Sequence, residues 1–165
     1  MKQILSALVE NRSGVLARIS GPFARRGFNI DSLAVGETED PTISRMTIVV
    51  DGDDSVVEQV EKQLNKLVDV IKVKRLDTAA TTRRELLLIK VAVGAQKRGE
   101  VIDIARVMDA KIVDISATTL TIELCDRPER VTLMTDLLSP YKVREVARTG
   151  TVALEKGAGD INYRP

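Results

Sequence analysis

Apolar and polar positions divide the first half of the chain into four strand-like runs and two helical ones. The strand-like runs are apolar or alternating and cover residues 4–10, 28–35, 46–50 and 70–76. Apolar residues recur at helical spacing after Ser13 and again after Ser55, and each serine is expected to cap a helix. The helical positions are Val15, Leu16, Ile19 and Phe23, then Val57, Val60, Leu64 and Leu67. The order βαββαβ predicts an antiparallel sheet of four strands with two helices on one face.

Two residues should shape the course of the first helix. Gly27 is placed to end it in the left-handed conformation, which glycine adopts without steric cost. Pro22 lies inside the helix, where it removes one backbone hydrogen bond, so we expect a kink or a shortened helix.

The second half repeats this order of elements. Strands are predicted at residues 85–93, 111–115, 118–124 and 141–147, and helices at residues 96–109 and 129–138. Residues 78–84 are polar or small without periodicity, which indicates a linker, and residues 156–165 are expected to be loose. We therefore predict an α+β chain of two ferredoxin-like βαββαβ domains, residues 1–77 and 85–165.

Charge and hydropathy argue against nucleic acids and membranes as partners. The net charge is only +1 and aromatic residues make up 2%, so neither a basic surface nor a stacking platform for bases is indicated. No apolar run approaches the ~18 residues that a membrane span needs. Met1 leads directly into a strand without a signal-peptide layout, so we expect a cytoplasmic protein.

The residues needed for common catalytic or metal sites are missing. The chain contains no histidine, which removes Cys-His and Ser-His-Asp catalysis and imidazole zinc sites. It has no glycine-rich phosphate loop and no convincing acid–base pair. Its one cysteine, Cys125, cannot form an internal disulfide and is interpreted as a small apolar residue at a strand end. We predict no catalytic residue, no metal site and no cofactor in this chain.

The turn after the first strand carries the most informative polar residues. Asn11 and Gly14 lie between that strand and the first helix, and Asn29 opens the next strand. Backbone N–H groups at a helix N-terminus lack partners and suit the carboxylate of a free amino acid. Each residue also has a structural interpretation, because Asn11 can satisfy its own backbone, Gly14 can serve the turn alone, and Asn29 can cap a strand. Together they favour a sensor over a catalyst.

Several segments in the right order resemble one known family. The first half carries ENRSGVLARISGPFARRGFNIDSL, DPTISRMTIVV and EKQLNKLVDVIKV, and the second half carries RELLLIKV and KVREVARTGTVALEKG. These segments resemble the regulatory small subunit of acetolactate synthase, also called acetohydroxyacid synthase. The resemblance implies an N-terminal ACT domain, which is an amino-acid-sensing variant of the βαββαβ fold, and a second ferredoxin-like domain.

The resemblance also implies partners and an effector. Small subunits of this family form homodimers through their ACT domains, bind valine as an end-product inhibitor and activate a separate catalytic subunit. The pathway makes branched-chain amino acids. The catalytic subunit carries thiamine diphosphate, FAD and magnesium, so these cofactors are expected on the partner and not on this chain.

The family's valine site lies between the first turn of one ACT domain and the second strand of its mate. The resemblance carries that site onto six residues of this sequence: Asn11, Gly14, Val15, Leu16, Asn29 and Ile30. Backbone N–H groups of residues 14–16 would bind the carboxylate, and the oxygens of the two asparagines would accept from the ammonium. Leu16 and Ile30 would contact the isopropyl group. Gly36, where related chains can carry alanine, borders this strand and bears on effector sensitivity.

Two other classes of function remain open from the residues alone. A free-standing amino-acid-binding module could regulate another protein or gene, although no helix-turn-helix with a basic stripe is evident. A small enzyme could use the ferredoxin-like scaffold, although the missing histidine counts against it. Acetolactate formation by the chain alone would favour the enzyme.

Overall fold

The computed structural model describes residues 1–161, which form two compact units. The first unit is Met1–Thr82 together with the described residues from Thr151 onward, and the second is Arg83–Gly150. In the first unit the elements are β1 (Lys2–Glu10), α1 (Val15–Arg26), β2 (Ile30–Glu37), β3 (Ile43–Asp51), α2 (Asp54–Asn65) and β4 (Val70–Leu76). Next come β5 (Thr81–Ala92), α3 (Ala95–Val107), β6 (Lys111–Ile115), β7 (Thr119–Asp126), α4 (Pro128–Leu138), β8 (Lys142–Arg148) and β9 (Val152–Glu155).

The first sheet has the strand order β2-β3-β1-β4, and all its neighbours are antiparallel. Its main core is formed by apolar residues at alternate strand positions and along one side of each helix, as the strand and helix periodicities predicted. That core includes Leu5, Ala7, Val9, Ile19, Phe23, Met46, Ile48, Val57, Val60 and Leu64. The βαββαβ prediction for this half is therefore confirmed.

The second sheet has the order β6-β7-β5-β8, which repeats the arrangement of the first. Its core again combines alternate strand residues with one stripe from each helix, among them Leu87, Ile89, Val91, Val101, Leu120, Ile122, Val131 and Met134. The edge strands β6 and β8 are exposed along their whole length. The predicted α+β class, with two ferredoxin-like units, is confirmed.

The end of the described chain does not behave as predicted. Residues 151–161, here called the C-terminal strap, pack on the first unit instead of forming a loose end of the second. Ala153 and Ile161 join two buried clusters whose other members are Ile4, Val49, Leu76, Leu8 and Ile43. The strap contains a strand, β9, and carries too few apolar residues to show a period by itself. The strap is buried because β1 is apolar on both faces, so the face that the helices do not cover packs against the strap. Residues 162–165 of the expected loose tail lie outside the described residues.

The predicted linker is mostly a strand. Only residues 77–80 form a turn, in which the Ala80 N–H and the Thr81 hydroxyl both donate to the Asp77 carbonyl, at 3.1 and 2.6 Å. Strand β5 starts at Thr81, and β9 pairs with it. Threonine is β-branched and suits a strand once a partner is present, which composition alone does not reveal.

One predicted helix end is confirmed, and two predicted helix caps are wrong. Gly27 ends α1 in the left-handed conformation, with φ 68°, as predicted. Helix α1 starts from Gly14, whose φ is 82°, and Ser13 makes no cap. The cap of α2 is Asp53, which accepts from the Val56 N–H at 3.0 Å, and not Ser55. Pro22 lies inside α1, which continues to Arg26 and so is not shortened.

Candidate functional site

The turn between β1 and α1 is held by the residues that immediately precede β4 and β3. The Glu10 N–H donates to the Asp69 carbonyl at 2.9 Å, and the Asn11 N–H donates to the Thr42 carbonyl at 2.7 Å. Gly14 then takes a left-handed conformation, with φ 82°. A Cβ at this position would also meet Nη1 of Arg18 at 3.2 Å. The dihedral angle therefore favours glycine, and a Cβ would in addition push the flexible end of Arg18 aside.

This turn leaves backbone donors open at the start of α1. The N–H groups of Gly14, Leu16 and Ala17 donate to no described residue, whereas the Val15 N–H approaches the Arg12 carbonyl at 3.4 Å. The first turn of α1 contains no acidic residue. Open N–H groups and the positive end of the helix dipole together suit an anion such as a carboxylate.

Asn11 is oriented by two side-chain hydrogen bonds. Its Nδ2 donates to Oε1 of Glu37 at 3.1 Å and to the Pro41 carbonyl at 2.9 Å. Its Oδ1 accepts from no described residue, so this oxygen is available to a ligand donor. Asn11 thus connects the turn to the end of β2 and the start of β3, and does not bond its own backbone.

A short turn positions the Pro41 carbonyl for this contact. The Asp40 carboxylate accepts from the Thr42 hydroxyl at 2.7 Å and from the Thr42 N–H at 2.9 Å. These bonds, the hydroxyl's above all, lower the pKa of Asp40 below its ordinary value. The ionised carboxylate therefore keeps the turn closed at neutral pH.

The apolar site residues differ in what they can offer a ligand. Val15 is only 4% exposed and belongs to the main core, so its side chain is not available. Leu16 is 51% exposed beside the open N–H groups. Ile30 is half-buried and packs against the same core, as expected for a strand residue.

Asn29 lies at the other end of the sheet. Its Nδ2 donates to Oδ1 of Asp31 at 2.9 Å, and its own Oδ1 accepts from no described residue. Ile30 pairs with Val50, whereas Glu37, which binds Asn11, pairs with Ser44. At about 3.3 Å per residue, the two ends of β2 are roughly 23 Å apart. One chain therefore does not bring the six predicted residues together.

Two residues beside the turn were not singled out from the sequence. Arg18 Nε donates to Oδ2 of Asp69 at 2.5 Å, and the Arg18 guanidinium lies next to Gly14. Arg18 follows Gly14 by four residues, a helical spacing that could have indicated the contact. Nothing in the sequence pattern connects Asp69 to this turn, because the contact spans 51 residues.

Metal binding and membrane spanning find no support in the described residues. Among residues 1–161, no group of three or more His, Cys, Asp or Glu residues could hold a metal ion. In that range there is also no helix that is both long enough and apolar enough to span a membrane. Cys125 lies near the end of β7, as expected, but it is exposed and is not packed as a small apolar residue.

The paired βαββαβ units and the open helix start after β1 define a regulatory protein of the ACT type. A family model described as "AHAS small subunit-like ACT domain" matches residues 5–72, and one described as "Small subunit of acetolactate synthase" matches residues 84–157. The chain belongs to the acetolactate synthase small-subunit family, whose members are regulatory subunits.

Relatives of this family match along nearly the whole chain. A protein of Archaeoglobus fulgidus named "Probable acetolactate synthase small subunit" is 50% identical over 157 residues, which cover 95% of this chain and 98% of that one. The acetolactate synthase small subunit of Mycolicibacterium smegmatis is 50% identical over 157 residues, with coverage of 95% and 92%. The crystal structure of the acetolactate synthase small subunit from Thermotoga maritima matches with a TM-score of 0.89 and 39% identity, covering 96% of this chain and 99% of that one.

Proposed function

We propose that this chain binds the catalytic large subunit of an acetolactate synthase, raises its activity and makes it sensitive to valine. Thiamine diphosphate, FAD and magnesium belong to the large subunit in this proposal, and the small subunit performs no chemistry of its own. Family membership supports the partner. The open N–H groups of Gly14, Leu16 and Ala17 are the observation that carries the effector site.

The separation of the two asparagines supports a site shared between two copies. Among the described strands, β2 lies at an edge of its sheet and has one unpaired side. Two copies of β2 related by a two-fold axis would pair antiparallel, so residue 30 of one copy would lie near residue 37 of the other. Asn29 of the second copy would then approach Asn11, which binds Glu37. A homodimer through the ACT sheets therefore completes the proposed site.

Each part of a valine zwitterion has a suitable group at such a site. The carboxylate would accept from the open N–H groups at the start of α1, and the ammonium would donate to the two free asparagine oxygens. The isopropyl group would lie against Leu16, which is exposed at this position. Ile30 of the second copy provides a half-buried apolar neighbour.

Valine can regulate the partner only if it binds one arrangement of the complex better than another. Inhibition by tenfold to a hundredfold corresponds to a coupling free energy of about 1.4–2.8 kcal/mol. A few charge-assisted hydrogen bonds that form in only one arrangement are sufficient for this difference.

Acetolactate synthase activity of the cognate large subunit tests the proposal. It should be measured with and without this chain, across a valine titration. We expect activation by the chain, together with inhibition by valine that Gly14→Asp abolishes, because the new carboxylate would repel the ligand carboxylate. Activation without sensitivity to any branched-chain amino acid would contradict the effector site, and no activation would contradict the partner assignment.

A further inference from the structure

The Arg18–Asp69 ion pair lies beside Gly14, at the start of α1. The Asp69 side chain is only 5% exposed, and among the described residues its one charged partner is Arg18, whose side chain is 51% exposed. Helical side chains incline towards the N-terminus, so Arg18 reaches back to the positive end of α1. A cation at that end is unfavourable unless anions lie nearby.

The Arg18 guanidinium is only partly used. Its Nε donates to Asp69, whereas its two terminal nitrogens donate to no described residue. One of them, Nη1, lies 3.2 Å from the position that a Cβ of Gly14 would take. Free guanidinium donors therefore lie beside Gly14, whose N–H group is open like those of Leu16 and Ala17, in a helix start without an acidic residue.

We propose that Arg18 is a specificity-determining residue of the effector site, where it donates to the ligand's free α-carboxylate. This inference rests on the proposed function, because it assigns a further residue to the same site. Asp69 has two effects in this arrangement. It orients the guanidinium through Nε, and its negative charge offsets part of the attraction between Arg18 and the ligand. The site should therefore select amino acids over their amides, which lack the carboxylate charge.

Calorimetric titration of the purified full-length chain with L-valine and L-valinamide tests the proposal without any catalytic subunit. Valinamide keeps the ammonium and the isopropyl group but lacks the carboxylate charge. We expect the unaltered chain to bind valine at least tenfold more tightly than valinamide, as expected for charge-assisted hydrogen bonds.

Three variants separate the charge of Arg18 from a structural effect. Arg18→Gln should weaken valine binding about tenfold and should lower the ratio of the affinity for valine to the affinity for valinamide. Arg18→Lys keeps the charge and a partner for Asp69, so it should retain part of that ratio. Asp69→Asn can still accept from Nε but lacks the charge, so it should strengthen valine binding by a few fold. If the ion pair is purely structural, all three variants should bind valine and valinamide more weakly, and by the same factor for both ligands.

Arg25→Gln is the matched control. Arg25 is an exposed arginine in the last turn of the same helix, roughly 16 Å along the axis from Gly14 at about 1.5 Å per residue. The Arg25→Gln substitution should leave the affinities for valine and for valinamide unchanged. Valine binding by Arg18→Gln equal to that of Arg25→Gln would overturn the role of Arg18 and leave the proposed function intact. Absence of binding of valine, leucine and isoleucine by the unaltered chain would overturn both.

Discussion

Lys74 and Glu155 form an ion pair across 81 residues of sequence, with 2.6 Å between Lys74 Nζ and a Glu155 carboxylate oxygen. The same ammonium donates to the Asp160 carbonyl at 2.9 Å. At the start of the strap, the Thr151 N–H donates to the Ser32 hydroxyl at 2.8 Å. The C-terminal strap is thus bonded to β4 and to the edge strand β2, two strands at opposite ends of the order β2-β3-β1-β4. It is an integral part of the first unit.

Removal of the strap's apolar anchor should destabilise the first unit. Ile161→Ala would leave a cavity against Leu8 and Ile43, because Ile161 is only 7% exposed. We expect a loss of about 2 kcal/mol in the free energy of unfolding, measured by urea denaturation. Leu154→Ala is the control, since Leu154 lies in the same strap but is 58% exposed. Equal effects of the two substitutions would contradict the packing of the strap.

Two glycine-to-alanine substitutions should change stability in opposite directions. Gly14→Ala forces a side chain into a positive φ and towards Arg18, so it should destabilise the chain by about 1 kcal/mol. Gly99→Ala lies inside α3, where an added Cβ meets nothing within 4 Å, and it should stabilise the chain by about 0.5–1 kcal/mol. Thermal denaturation of both variants checks the prediction, and a stabilised Gly14→Ala would refute it.

A charge at residue 11 should uncouple inhibition from activation. Asn11→Asp removes the donor that Glu37 accepts from and places two carboxylates at hydrogen-bond distance. Repulsion from Glu37 should turn the residue 11 side chain away, so the oxygen expected to accept from the ligand ammonium would be lost and the valine concentration for half inhibition should rise at least about tenfold. Activation of the large subunit should persist, because the substitution is exposed and lies outside the core. Asn65→Asp, at the exposed end of α2, is the charge-matched control.

The cap of α2 should give a pH-dependent contribution to stability. Hydrogen bonds from the Ser55 hydroxyl first, and from the Val56 N–H second, lower the pKa of the Asp53 carboxyl below its ordinary value of 3.8. A lowered pKa in the folded state stabilises the fold above pH 3.8, and this contribution is lost as the pH falls through the folded-state pKa.

Asp53→Ala should therefore destabilise the chain at pH 7, and its difference from the unaltered chain should shrink as the medium becomes more acidic than pH 3.8. Urea denaturation at several pH values measures this difference. Ser55→Ala should cost less at pH 7, because the bond from Val56 N–H to Asp53 remains. A larger loss of unfolding free energy for Ser55→Ala than for Asp53→Ala would indicate that Ser55 caps α2.

Hydrophobic periodicity was sufficient to predict the two βαββαβ units. Strands β4 and β6 have the predicted bounds, and the other predicted elements differ by a few residues at their ends, whereas β9 was not predicted. Caps were less predictable, because Ser13 and Gly14 adjoin, and Asp53 and Ser55 both suit a helix start. The dihedral angle of Gly14 and the hydrogen bond of Asp53 decided between them.

The candidate site shows the same division between local and distant information. The sequence by itself determined that a polar turn with Asn11 and Gly14 begins the first helix, since turn chemistry is local. Only the tertiary structure decided that Asn29 lies at the far end of the sheet and that Asp69 holds Arg18 over the turn. It alone placed the strap on the first unit. The pattern of apolar and polar residues indicates only which residues are neighbours within one helix or strand. These contacts join residues that are distant in sequence and become neighbours only when the chain folds.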